Sequence, residues 1–166
     1  MELDDFFSER ISKILEGIEK TTIEINELKN KLLGERLNYK TAIQSMPLTT
    51  SSINWKIFNS YLKCIHLEEQ IENEKERLAY IYSSGIKLII RGIDTKEFPY
   101  TIGTTTRKFV NNLYDNDCIS ENLHVLLPDL FSLEFVIESS ENKSLRLLTL
   151  QKIKFLQDIA LKRRIR

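Results

Sequence analysis

The chain has few of the residues that break helices or cross-link small folds. Three prolines and five glycines in 166 residues are too few for a turn-rich β fold. The prolines fall at 47, 99 and 128, so residues 1–46 and 48–98 run without the strongest helix breaker. Cys64 and Cys118 are too few and too widely spaced for a disulfide framework. No stretch approaches the roughly 20 apolar residues of a membrane span. The start, Met1-Glu2-Leu3-Asp4-Asp5, is acidic with no long apolar run behind it, unlike a secretory signal. These absences place the expected compartment in the cytoplasm or nucleus. Neither sign of charge is in excess, with 24 basic and 24 acidic side chains, which argues against a dedicated polyanion binder while leaving room for a local basic patch.

Chemical motifs are missing as well. Hydrolase elbows, phosphate loops and dinucleotide fingerprints are absent, and Gly103 followed by three threonines reads as a helix cap. Cys64 and His66, at i and i+2 on a helix, point to different sides, whereas helical metal pairs sit at i and i+3 or i+4. A zinc site would require Cys118 and His124 to converge on them. The carboxylates Glu68, Glu69, Glu72, Glu74 and Glu76, interleaved with Lys75 and Arg77, read as a solvated helix face. The expectation is a protein that is not an enzyme and holds no cofactor or metal.

What is present is a heptad pattern. Phe7, Ile11, Ile14, Ile18, Thr21, Ile25, Leu28 and Leu32 alternate steps of four and three without a slip, as in the a/d seam of a coiled coil. The register continues through Glu35, Tyr39, Ala42 and Met46. Between the seam positions lie mainly Glu, Lys and Asn, the composition of a solvated face. A helix over residues 4–45 would be about 60 Å long and could not bury its stripe alone. Met46 to Ser52 ends this rod and offers hydroxyl caps for a second helix over 52–82. There Ile57, Tyr61, Cys64, Ile71 and Leu78 share one stripe, with Phe58, Leu62 and Ile65 broadening its first half. A connection this short joins antiparallel neighbours, so a hairpin is expected. The alternative is two open rods, each pairing with a partner subunit. Because the second half of helix two is polar, an apolar strip should remain for another chain. Phe7, Ile11, Ile14, Ile18, Ile25, Leu28 and Leu32 are the expected partner-binding residues.

After Ser83-Ser84-Gly85 the pattern alternates. Ile86, Leu88 and Ile90 read as one strand, Ile93 to Lys96 as a turn, and Phe98 to Ile102 as a returning edge strand. A helix carries Phe109, Val110 and Leu113. Leu123, Val125 and Leu127, then Phe131, Leu133, Phe135 and Ile137, read as two more strands. A last helix from Ser144 turns Leu145, Leu148, Ile153, Leu156 and Ile159 inward. The first part of this order resembles the hairpin and helix of a ubiquitin-like grasp. A coiled-coil arm ending in a compact α+β head is similar in architecture to subunits of kinetochore and related eukaryotic complexes, which implies protein assembly as the role.

The C-terminal run is basic: Lys152, Lys154, Lys162, Arg163, Arg164 and Arg166 face Asp158 alone. Cations at a helix C-terminus are stabilised by its dipole. The same charges suit a nucleic acid, an acidic partner or an anionic membrane, with Lys162, Arg163, Arg164 and Arg166 as the contact residues. Phe155 is the single aromatic nearby, so the run lacks interleaved rings for stacking single-stranded bases. The combined expectation is an α+β chain, mostly helical, with a coiled-coil arm at 1–83 and a small α+β domain at 86–166. Its expected function is that of an adaptor or scaffold subunit with helical protein partners. A nucleic-acid-binding module using the basic helix is the alternative.

Overall fold

A computed structural model describes residues 2–45, 55–95, 102–140 and 143–165. Two long helices dominate, α1 (Glu2–Gln44) and α2 (Trp55–Thr95). They are followed by α3 (Ile102–Asp115), a 3-10 segment (Asp117–Leu126), α4 (Leu127–Glu138) and α5 (Lys143–Ile165). Pairings between α1 and α2 run in opposite directions along the chain. Arg36 Nη2 lies 2.9 Å from Glu68 Oε1, the rings of Tyr39 and Tyr61 are 5.9 Å apart, and Ile14 lies beside Gly85. The long helices are therefore antiparallel neighbours.

The expected α+β head is corrected: among the described residues there is no strand, and the second half of the chain is helical. Helix α2 does not stop at 82. It runs through Ser83-Ser84-Gly85 to Thr95, carrying the residues read as a strand. Its buried positions there are Tyr82, Gly85, Ile86, Ile89 and Gly92, spaced by three and four. Half-buried Leu88, Ile90 and Ile93 also pack against the core. A helix packed on several sides becomes apolar nearly all round, and a period of two then fits as well as one of 3.6. Over Leu123–Ile137 the alternation has another cause, apolar residues on the solvent side as well as the core side. The buried residues are Leu123, Leu126, Leu127, Leu130, Leu133 and Ile137, while Val125, Phe131 and Phe135 are exposed. Pro128 sits in the first turn of α4, where its missing N–H leaves no bond unmade. Ile102, expected in the returning strand, opens α3; 98–101 and the connection at 46–54 lie outside the described residues. The likeness to a ubiquitin-like grasp, and to an arm with an α+β head, falls with the strands.

One large core sits where the N-terminal half of α1 and the C-terminal half of α2 meet α3, the 3-10 segment, α4 and α5. Phe7, Ile11, Ile18 and Ile25 enter it from α1, Leu78, Tyr82, Ile86 and Ile89 from α2, and Ile153, Leu156 and Ala160 from α5. Beyond it the two long helices project as an arm. The arm's interior is a small cluster of Leu32, Cys64 and Ile71, with Leu28 and Leu67 against it. Polar clamps tie the short elements to α2, and α4 to α5. Lys75 Nζ lies 2.7 Å from Glu121 Oε2 of the 3-10 segment, and the Ser83 hydroxyl donates to Asp129 Oδ2 of α4 at 2.6 Å. Gln157 of α5 donates to Glu134 Oε2 at 2.7 Å and to the Leu130 carbonyl at 3.3 Å.

Candidate functional site

The heptad residues come first, because they were the expected partner-binding set. Phe7, Ile11, Ile18 and Ile25 are buried in the main core and Leu32 in the arm cluster. Ile14 and Leu28 are half-buried against the same clusters. The stripe is thus closed by the chain's own helices. The long register is a folding device: it positions the arm, and what a partner can reach lies on other faces.

On the arm those faces are apolar. Leu33 and Leu37 of α1 are 62% and 64% exposed, and Trp55 of α2 is 66% exposed. Ile43, Phe58, Tyr61 and Leu62 are exposed as well. Leu33 and Leu37 are one turn apart, and Trp55, Phe58 and Leu62 follow at i, i+3 and i+7, so each set lies on one side of its helix. The rings of Trp55 and Phe58 meet edge to face, 5.9 Å apart. Both sets occupy the end of the arm away from the main core, where the cross-pairs Arg36–Glu68 and Tyr39–Tyr61 align the two helices. Their signal in the sequence was their misfit to the heptad: Leu33 and Leu37 stand outside the a/d seam.

Of the glutamate run Glu68, Glu69, Glu72 and Glu76 are exposed, whereas Glu74 is half-buried and Lys75 among them is buried. Glu68 pairs with Arg36 at 2.9 Å, Glu72 with Lys75 at 3.7 Å and Glu74 with Arg77 at 3.8 Å. The cysteines do not converge. Cys64 belongs to the arm cluster and Cys118 to the main core, while His66 and His124 are exposed. Burial, aided by the Glu35 carboxylate, pushes the Cys64 thiol up from its ordinary value, which disfavours the reactive thiolate. Among the described residues no group of three or more His, Cys, Asp or Glu is placed to hold a metal ion.

An open cleft of about 760 Å³ lies between α1 and the start of the 3-10 segment, lined by Thr22, Asn26, Asn112, Asn116 and Cys118. These five residues are joined to one another and to Tyr82 by hydrogen bonds. The Tyr82 hydroxyl donates to Asn112 Oδ1 at 2.6 Å, and Asn116 Nδ2 donates to the Tyr82 oxygen at 2.9 Å and to Thr22 Oγ1 at 3.0 Å. The Cys118 N–H donates to Asn116 Oδ1 at 3.0 Å, and its thiol to Asn26 Oδ1 at 3.6 Å. The network joins α1, α2, α3 and the 3-10 segment. Burial pushes the Tyr82 hydroxyl well above the ordinary tyrosine value, with the bond from Asn116 acting the other way.

Of the C-terminal cations, Lys162 is exposed on α5, whereas the side chains of Arg163, Arg164 and Arg166 lie outside the described residues. The aromatic that the sequence placed far away arrives here by folding. Tyr114, at the end of α3, lies against Phe155 of α5 with ring centroids 5.4 Å apart. Lys152 Nζ sits 5.3 Å over the Tyr114 ring and also donates to Asn111 Oδ1.

Comparison of the chain with protein-family models, with curated proteins and with solved structures gives no match. Among the described residues no helix is long and apolar enough to cross a membrane.

Proposed function

We propose that this chain is a non-enzymatic helical adaptor, a subunit that assembles with helical protein partners through the outer faces of its projecting arm. The observation that supports this reading is the exposure of Leu33, Leu37 and Trp55 together at the arm's end. With Ile43, Phe58, Tyr61 and Leu62 they leave on the order of 700 Å² of side-chain surface in water, taking about 150–250 Å² for each whole aromatic side chain and somewhat less for each aliphatic one. This area is divided between two faces, Leu33 and Leu37 on the outer side of α1 and Trp55, Phe58 and Leu62 on the outer side of α2, neither larger than the ~300–600 Å² of the largest patch on a typical monomer. Residues one turn apart on rigid helices suit the apolar stripe of another helix.

The test is the solution mass of the purified chain across a concentration series, with and without Leu37→Glu and Leu62→Glu together. The expected result is a multiple of 19.5 kDa that collapses to the monomer in the double variant while helicity is unchanged. A monomer throughout, with hydrophobic-dye binding and solubility unaffected by the substitutions, overturns the reading. A monomeric wild type whose dye binding falls in the double variant shows the arm free and its partner to be a different chain.

A further inference from the structure

We propose that the edge shared by α3 and α5 is a docking site for single-stranded nucleic acid, with the Tyr114–Phe155 ring pair stacking on unpaired bases and the cations of α5 holding phosphates. The site is independent of the arm.

Charge is the first ground. The whole chain is neutral, yet α5 (Lys143–Ile165) carries Lys143, Arg146, Lys152, Lys154, Lys162, Arg163 and Arg164 against one acid, Asp158. Cations gathered on one helix of a neutral protein make a local positive field able to bind a polyanion independently of sequence. The dipole of α5 favours cations in its last turn and does not account for Lys152, which lies one turn before Phe155 on its side of the helix; Asp158, one turn after Phe155, shares that side.

The second ground is the ring pair. Tyr114 is 40% exposed and Phe155 is 51% exposed, and they touch at a tilt of 53°. Each ring keeps two fifths to half of its surface in water, so burial accounts for only part of each. They are also firmly mounted: Leu113 beside Tyr114, and Ile153 and Leu156 beside Phe155, are buried in the core. Lys152 is held at the platform by the Tyr114 ring and Asn111. Lys162 follows Phe155 by two turns on the same side of α5, about 10 Å further along, and is exposed. Aromatic faces set among cations are the elements of sequence-tolerant single-strand binding, since every base presents a π face.

Other polyanions fit less well. A duplex hides its base faces and leaves the rings unused. A membrane-surface helix inserts a continuous apolar face; in α5 Ile153, Leu156 and Ala160 are in the core, and the apolar residues left exposed, Leu147, Phe155 and Leu161, are interleaved with Lys154 and Asp158. An acidic peptide would use the lysines and gain nothing from stacking.

The experiment is fluorescence anisotropy of a short labelled oligothymidylate with the full chain over a range of salt. Parallel arms use the same sequence as a duplex, phosphatidylserine vesicles and polyglutamate. The expected result is single-strand binding that weakens steeply with salt, falls about tenfold for each of Tyr114→Ala and Phe155→Ala, and is retained by Tyr114→Phe. Lys162→Gln, at an exposed site that leaves the fold intact, should weaken binding severalfold and flatten the salt dependence. Equal affinity for the duplex, tighter binding to vesicles or polyglutamate, no binding at low salt, or indifference to ring removal in variants of unchanged helicity would each overturn the proposal.

Discussion

Gly85 of α2 and Phe109 of α3 approach more closely than any side chain at 85 would permit: a β-carbon there would lie 2.4 Å from Phe109 Cζ and 2.5 Å from Cε2. Gly85, after which the sequence pattern changes to an alternating one, is the crossing point of two helices. Phe109 is fully buried and meets Tyr82 edge to face, with centroids 5.8 Å apart, so the ring has little room to retreat. Gly85→Ala gains about 1 kcal/mol of helix propensity but overpacks a filled core, at about 1–3 kcal/mol. A net loss of about 1 kcal/mol is expected in urea unfolding. Gly34, with nothing within 4 Å of its would-be β-carbon, supplies the contrast: Gly34→Ala should stabilise by about 0.5–1 kcal/mol. Stabilisation by both substitutions would mean that the Phe109 ring can move.

The seam of α1 and its outer face should respond oppositely to the same change. Ile18→Glu places a carboxylate in the main core and should cost more than about 4 kcal/mol, enough to unfold the chain. Leu37→Glu, at an exposed site, should leave the midpoint of thermal unfolding within about 2 °C, since exposed substitutions stay within about 0.5 kcal/mol. Circular dichroism melts separate the two outcomes, and equal loss in both variants would refute the assignment of the stripe to the interior.

Tyr82 ties stability to alkaline pH. Its folded pKa is raised by burial, above an unfolded value of about 10. The folded state therefore holds the proton when the unfolded state releases it. This contribution is fully present below about pH 10 and is lost progressively as pH rises from there toward the folded value. Tyr82→Phe should be less stable than the parent at neutral pH, because Asn112 and Asn116 lose a partner. The gap should narrow above pH 10, and a constant gap to pH 11.5 would contradict the assignment.

Lys75 is buried with its ammonium 2.7 Å from Glu121 and 3.7 Å from Glu72. Glu121 is about half exposed, so water screens the pair and part of its strength is lost. Glu121→Ala should cost about 1–2 kcal/mol by leaving a buried cation with its weaker partner only. Replacing both, as Lys75→Met with Glu121→Leu, should recover most of that loss. A double variant as unstable as the single one would show that the ion pair does more than pin the 3-10 segment to α2.

The long helices were legible because their signal is local and repeated. The unbroken steps of four and three from Phe7 to Leu32 specify one helical face, and the lack of proline lets the chain keep it. Helix α3 and its buried Phe109, Val110 and Leu113 were legible for the same reason, since one side of α3 remains in water. The region from Gly85 to Ile93 was not. It is covered by several neighbours, and an apolar run covered that way carries no period to read. Tyr114 was missed for a different reason: its partner Phe155 is 41 residues away, and no pattern in the sequence brings them together.

Composition and periodicity by themselves determined that this protein is mainly helical, that residues 4–45 read as one rod, and that its positive charge gathers at the C-terminal end. Each is a property of residues near one another in the chain, where spacing alone sets geometry. Tertiary structure decided what the rod faces. The heptad stripe has the same appearance whether its partner is another molecule or the chain's own α2. Only the packing of the helical second half against Phe7, Ile11, Ile18 and Ile25 turned the expected interface into a core, leaving Leu33, Leu37 and Trp55 of the arm and the Tyr114–Phe155 edge exposed.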